Sequence, residues 1–260
     1  MTALLEVNQL SKIFGGLVAV HDVSFAVQSG QIKALIGPNG AGKTTLLNMI
    51  SGVFPPTSGT ICFNDKPIQK MATHRVAQQG VARTFQNVEL FGEMTVLENV
   101  MVGRHLHSRG GFFAAATRLG GMRAEEQRIA RDAMLQLDRV GLADFAQERA
   151  ADLPFGHQRL LEIARALAAE PKLLLLDEAA SGLSTREKSD LVEMIFKIRA
   201  AEITVFLVDH DMDLVMGISD EVVVLDHGEK IAEGTPRDVQ QNERVIAAYL
   251  GEEPVDVENG

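Results

Sequence analysis

The chain of 260 residues carries 25 Lys and Arg against 35 Asp and Glu, a formal net charge of −10, and 46% of its residues are apolar. That length suits one large domain or a core with an insertion, and an acidic balance with no Lys/Arg-rich stretch argues against nucleic acid as a partner. The lone cysteine, Cys62, excludes an internal disulfide and a multi-cysteine metal site. No apolar run approaches the length of about 18 residues needed to span a membrane, and Met1–Glu6 lacks a basic-then-apolar leader, so a cytosolic chain is expected.

In chain order, residues 5–35 alternate short apolar runs with turns at Gly15-Gly16 and Ser29-Gly30, which reads as an antiparallel β region. Ile32 to Ile36 reads as a buried strand leading into Gly37-Pro38-Asn39-Gly40-Ala41-Gly42-Lys43-Thr44-Thr45. This segment fits the phosphate-cradling pattern G-x-x-x-x-G-K-[ST]. Leu46, Leu47 and Ile50 then line one side of a short helix that stops at Gly52, ahead of Pro55-Pro56. A strand, a glycine loop and a helix N-terminus aim backbone N–H groups and the positive end of a helix dipole at one anion. Gly40 and Gly42 permit positive φ and a close approach to phosphates. Lys43 supplies a point charge to the β- and γ-phosphates, and the Thr44 hydroxyl is a hard ligand for Mg²⁺. The plain alternative, a glycine-rich turn with a solvated lysine, does not call for these flanks.

Residues 59–69 predict a second hairpin with Asn64-Asp65 at its turn, 71–79 a short helix closed by Gly80, and Val81 to Phe85 a strand. Thr95 to Glu98 is a capping box that opens a helix. A long glycine-containing stretch, 103–123, separates it from a helix whose face carries Ile129, Ala133, Leu137 and Val140, ending at Gly141. A third helix is expected from about Gly156 to Ala169, before Pro171. Residues 88–169 thus read as all-helical, between two α/β portions. Lys172 to Asp177 predicts a buried strand, Ser184 caps a helix with Leu191, Met194, Ile195 and Ile198 on its apolar stripe, and Ile203 to Val208 and Glu221 to Leu225 predict two more strands. Helices between apolar strands imply crossovers and a parallel sheet, so the fold class is α/β.

The strand Leu173-Leu174-Leu175-Leu176 ends in Asp177-Glu178, at the carboxyl end where open α/β sheets bind ligands. There Asp177 suits Mg²⁺, directly or through water, and Glu178 suits orienting and deprotonating an attacking water. With these residues in place, the chain resembles the ATP-binding subunit of an ATP-binding-cassette (ABC) transporter along nearly its whole length. The resemblance implies a P-loop NTPase core like that of RecA, with an antiparallel β subdomain and an inserted helical subdomain. Residues 1–87 and 170–250 would form the nucleotide-binding part, 88–169 the helical signature part, and 251–260 a tail. Phe14 matches the aromatic that stacks on adenine. Gln86, within Thr84-Phe85-Gln86-Asn87, matches the glutamine that meets Mg²⁺ and water. Leu153-Pro154-Phe155-Gly156-His157-Gln158 falls at the signature, Ser181-Gly182-Leu183-Ser184 at the D-loop, and His210 at the switch histidine. ATP and Mg²⁺ are the implied ligands. A histidine fits the switch because one ring nitrogen can donate to the γ-phosphate while a neighbour holds the other. His74, His105, His107 and His227 have no such placement and read as surface or packing residues.

The signature departs from the family's Leu-Ser-Gly-Gly-Gln, because Pro154 brings neither a hydroxyl nor an N–H. In the family, one subunit's signature closes on the ATP held by another, so a lost charge-assisted hydrogen bond weakens closure by roughly 1.5–3 kcal/mol. The Gly156 amide and the helix N-terminus remain. Ala179 and Ser184 also replace the family's usual proline and aspartate. These changes lead to an expected heterodimer with a second ABC ATPase chain. The finer resemblance is to the larger ATPase subunit of branched-chain, or hydrophobic, amino-acid uptake systems. It rests on the Leu-Pro-aromatic-Gly signature, on Leu161-Glu162-Ile163-Ala164-Arg165-Ala166-Leu167, on the 103–123 stretch, and on the ending from Glu233-Gly234-Thr235-Pro236 to Gly251. That resemblance implies two membrane permease subunits as partners, a solute-binding protein outside the membrane acting indirectly, and a place on the cytoplasmic membrane face. ATPases of lipopolysaccharide export and of urea and short-amide uptake look similar, and a cluster-assembly ABC ATPase is the alternative outside transport. A GTPase would need an N-K-x-D guanine motif, which the sequence lacks.

Overall fold

The computed structural model describes residues 3–86, 88–104 and 119–250, with the side chains of 119–124 and 250 left aside. Asn87, most of the 103–123 stretch with His105 and His107, and the tail 251–260 lie outside the described residues. In chain order the elements are β1 (Ala3–Phe14), β2 (Leu17–Gln28), β3 (Ile32–Ile36), α1 (Lys43–Ile50), β4 (Ser58–Phe63), β5 (Lys66–Pro67), α2 (Thr73–Gln78), β6 (Val81–Arg83), α3 (Val96–Arg104) and α4 (Leu119–Arg139). They continue with α5 (Phe155–Leu167), β7 (Leu173–Asp177), α6 (Thr185–Ala200), β8 (Thr204–Val208), α7 (Met212–Ile218), β9 (Glu221–Asp226), β10 (Glu229–Gly234), α8 (Pro236–Gln240) and α9 (Glu243–Leu250). The backbone gathers into two compact units, one made of the chain up to Met71 and from Phe206 onward, the other of Ala72–Val205.

In the first unit an antiparallel sheet runs in the order β2-β1-β4-β5. Leu5, Val7 and Leu10 of β1 and Val23, Phe25 and Val27 of β2 are buried, the alternation expected of strands with one covered face. Asn64 and Asp65 turn β4 into β5 with φ of 49° and 61°, which both residue types tolerate and which matches the twist of the flanking strands. β3 departs from the expectation of one antiparallel region over residues 5–35. It pairs in parallel with β9, Lys33 opposite Glu221 through Ile36 opposite Val224, and β9 pairs antiparallel with β10. The reason is its composition: all five residues are buried, and a strand with no polar face needs cover on both sides. Lys33 is tolerated there because its ammonium donates to the Ala26 carbonyl at 2.6 Å and to Glu221 and Glu233 at 2.9 and 2.6 Å.

In the second unit β6 and β7 pair in parallel, Val81 opposite Leu173 through Arg83 opposite Leu175. α3, α4 and α5 pack on one another. Gly103 allows this closeness, since a Cβ there would stand 2.1 Å from the Arg165 carbonyl oxygen. The capping box ahead of α3 forms as expected, the Thr95 hydroxyl accepting from the Glu98 N–H at 3.1 Å and the Glu98 carboxylate accepting from the Thr95 N–H at 2.8 Å. α4 buries Ile129, Ala133 and Leu137, and α6 buries Leu191, Met194, Ile195 and Ile198, the predicted stripes. The strand expected over 81–85 stops at Arg83. Backbone groups of Phe85 and Gln86 are taken by side chains of α5 in place of a neighbouring strand. The helices α7, α8 and α9 and the strand β10 run only five to eight residues each, too short for a period to stand out in the sequence.

Candidate functional site

Residues 37–45 curl in the first unit between β3 and α1. Gly40 and Gly42 take φ of 77° and 98°, the left-handed region that glycine enters without a Cβ penalty. A Cβ on Gly42 would stand 2.5 Å from the Ala19 carbonyl oxygen, and one on Gly37 2.1 Å from that of Leu225, so main chain closes on the loop from both β2 and β9. Gly228 adds an N–H to the Ala41 carbonyl at 3.1 Å. Gly37, Pro38 and Ala41 are buried, whereas Asn39, Gly40 and Thr44 are exposed and Lys43 and Thr45 partly so. The Lys43 ammonium folds back over the loop and donates to the carbonyls of Gly37 and Pro38 at 2.6 and 2.8 Å. α1 begins at Lys43, so its unpaired N–H groups face the loop. This is a cradle for an anion, held by backbone geometry.

Phe14 ends β1 with 44% of its surface exposed. Its ring meets that of Phe54 edge-on at 5.4 Å, and the Lys12 ammonium lies 5.0 Å from one centroid and 4.7 Å from the other. Lys12 also donates to the Pro55 carbonyl at 2.7 Å. His210 follows β8 in the same unit with its side chain 64% exposed and its Nδ1 3.9 Å from the buried Asp209 carboxylate. Asp209 accepts from the Asp211 N–H, and Asp211 in turn caps α7.

The second unit holds the other expected residues. Asp177, at the end of β7, pairs with Arg83 of β6 at 2.8 Å, both side chains nearly buried. Glu178 takes a φ of 49°, unusual for a residue with a Cβ, and its carboxylate accepts from the Gln86 amide at 2.9 Å. Gln86 and Glu178 therefore meet, and the segments at 153–158 and 181–187 also touch. Gly182, at φ 77°, lies against the Phe155 ring, where a Cβ would come within 2.9 Å. Gly156 lies against Glu187, whose carboxylate a Cβ would meet at 2.1 Å. Ser184 caps α6: its hydroxyl donates to Glu187 at 2.6 Å, and these bonds hold the Glu187 carboxyl below the usual carboxylate range. Ser181 donates its N–H to the Glu178 carbonyl at 3.2 Å. Pro154 stands at the start of α5 and offers that helix no side-chain cap. His157 packs edge-on against Phe145 at 4.9 Å, and its Nδ1 is buried without a hydrogen bond.

Four residues that matter here were not singled out from the sequence: Lys12 beside Phe14, Arg83 beside Asp177, and Arg159 and Glu162 on α5. A signal existed for two of them. Arg83 and Glu162 each interrupt an apolar run, and a charge in such a place needs a partner.

The family model described as ABC transporter matches residues 20–181, and one described as branched-chain amino acid ATP-binding cassette transporter matches residues 229–255. The high-affinity branched-chain amino acid transport ATP-binding protein BraF of Pseudomonas aeruginosa is 45% identical over 250 residues, covering 96% of this chain and 98% of that protein. LivG of Escherichia coli K12, carrying the same description, is 43% identical with the same coverage. Among solved structures, a nucleotide-free ATP-binding cassette from an ABC transporter superposes with a TM-score of 0.85 at 29% identity, covering 96% of this chain and all of that one. The ADP conformation of an ATP-binding cassette of an ABC transporter gives 0.84, also at 29% identity, covering 97% of this chain and 100% of that one. The fold is that of the ABC ATPase, and the chain belongs to the ABC transporter family.

Proposed function

We propose that this chain is the ATP-hydrolysing subunit of an importer of branched-chain or other hydrophobic amino acids. The observation that carries the nucleotide reading is the loop 37–45, with Gly40 and Gly42 at positive φ and Lys43 folded over it at the start of α1. The solute reading is supported by the likeness to BraF and LivG over nearly the whole chain. It works at the cytoplasmic face of the membrane with two permease subunits, and a solute-binding protein on the far side delivers the cargo. No described helix is long and apolar enough to cross the membrane itself.

In this reading Phe14 stacks on adenine, and the amides of 37–45 with Lys43 hold the phosphates. The Thr44 hydroxyl, the Asp177 carboxylate and the Gln86 amide oxygen are hard donors that suit Mg²⁺. Bound there, Mg²⁺ would offset phosphate charge. Glu178 orients the water and takes its proton as the water oxygen bonds to the γ-phosphorus and the bond to the leaving ADP breaks. His210 donates to the γ-phosphate oxygens. Residues 1–87 and 170–250 act as the nucleotide-binding core and 88–169 as the signature lobe. Phe155, Gly156, Ser181 and Gly182 serve the ATP of a partner ATPase. Because Pro154 offers no donor, that partner is a second, different chain. ATP acts as a ligand that favours the closed pair.

The test is a Glu178→Gln chain purified with its membrane partners. It should bind ATP and lose about 10²–10⁴-fold in turnover. Near-normal turnover would remove Glu178 from this role, and full ATPase activity of the chain alone as an ATP-bound homodimer would remove the heterodimer.

A further inference from the structure

We infer that Arg159 and Glu162, on the inward face of α5, are positioning residues that set Gln86 against Glu178 and so tie the signature helix to the water-activating carboxylate. The inference rests on the roles of Gln86 and Glu178 proposed above. Both side chains are charged yet almost fully buried, 5% and 2% exposed. The Glu162 carboxylate accepts from the Phe85 N–H at 3.0 Å. Arg159 donates through Nη1 to the Phe85 carbonyl at 2.9 Å and through Nη2 to the Gln86 carbonyl. Three backbone groups in two consecutive residues are thereby held by one helix.

A buried ion pair is a weak device for stability, since apolar residues of the same volume often do as well or better. The Arg159 to Glu162 contact is itself long, 3.5 Å, and burial pushes the Glu162 carboxyl up against the opposing Phe85 hydrogen bond and the nearby Arg159 and Arg165 charges. What the pair does well is fix the backbone of Phe85 and Gln86 just beyond β6. From there the Gln86 amide reaches Glu178 at 2.9 Å. On its other side the Arg159 guanidinium lies 5.4 Å from the centre of the Phe155 ring, which rests on Gly182. Gly182, Phe155, Arg159, Gln86 and Glu178 thus form one line of contacts within the second unit. A shift of α5 carries the Gln86 amide with it, and the hydrogen bond from that amide is what aims the Glu178 carboxylate.

Steady-state turnover and calorimetric ATP affinity of the full chain, purified with its membrane partners, test this. Glu162→Ala and Arg159→Met should lower kcat by about ten- to hundredfold, the scale of a misplaced reacting group, with ATP Kd nearly unchanged. Glu162→Gln should recover most of the loss, because its amide oxygen can still accept from Phe85. In a Gln86→Ala background the same substitutions should lower kcat no further. Equal losses in both backgrounds, or an unchanged kcat in Glu162→Ala, would overturn the pairing. If Glu162→Ala does not fold, Arg159→Lys decides: it keeps the charge but loses the two-pronged grip, so wild-type kcat there would overturn the pairing and a lowered kcat would uphold it. A wild-type chain that neither binds nor hydrolyses ATP would instead sink the functional reading, and turnover before substitution tells the two failures apart.

Discussion

The guanidinium of Arg83 and the carboxylate of Asp177 stand 2.8 Å apart with side chains only 7% and 5% exposed, joining β6 to β7 at the end of the leucine run. A charge left alone at this depth is far costlier than the pair is worth. Arg83→Met should therefore destabilise by about 3–5 kcal/mol. At roughly 2–4 °C per kcal/mol, that lowers the melting temperature by about 6–20 °C. Adding Asp177→Asn should restore much of the loss, as the uncompensated carboxylate is gone. Thermal and urea unfolding of the three chains measure this, and equal midpoints for wild type and Arg83→Met would contradict it.

Phe14 is held by Lys12 and Phe54 before any base arrives, with ring centres 5.4 Å apart and the ammonium near both. Phe14→Ala should weaken ATP binding by about 1–3 kcal/mol, the value of one stacked base. Lys12→Met should cost less, about 0.5–1 kcal/mol, because it loosens the ring without removing it. Calorimetric titration ranks the two, and a Lys12→Met loss as large as that of Phe14→Ala would mean that Lys12 touches the nucleotide directly.

The Lys33 cluster gives stability a pH dependence. Burial raises the Glu221 carboxyl, but hydrogen bonds from Lys33 and Gln31 and the Lys33 charge outweigh it, so the net shift is below the ordinary 4.5. A folded-state value below the unfolded one adds stability above that ordinary value and loses it as pH falls through the lowered one. Urea midpoints should accordingly drop on acidification below about pH 4.5. Lys33→Met should be less stable at pH 7 and should lose less on acidification, because the part-exposed Glu221 carboxyl then lacks the cation that favours its charged form. A slope unchanged by this substitution would place the acid sensitivity elsewhere.

Much of this was legible in the residues. The loop 37–45 declares itself because its requirement is local: glycines where φ is positive, and a lysine and threonine opening a helix. The capping boxes at Thr95 and Ser184 are legible for the same reason, since both partners sit three residues apart. β3 was misassigned to the antiparallel region because a run of buried residues does not state which strand it pairs with. The end of β6 was overshot because what stops it, Arg159 and Glu162, lies more than 70 residues away along the chain. Arg83 escaped notice because a single charge on a strand says that a partner exists, not which one.

Glu178 occupies a backbone shape that asparagine or glycine would adopt with less strain, between two buried neighbours, Asp177 and Ala179. A residue with a Cβ in that shape forgoes roughly 1 kcal/mol. Aim has been favoured over comfort at this bend: relaxing it to an ordinary strand exit would swing the carboxyl away from the Gln86 amide. On the role proposed for Glu178, attempts to harden this chain against heat by swapping in glycine or asparagine here would gain robustness at the expense of turnover.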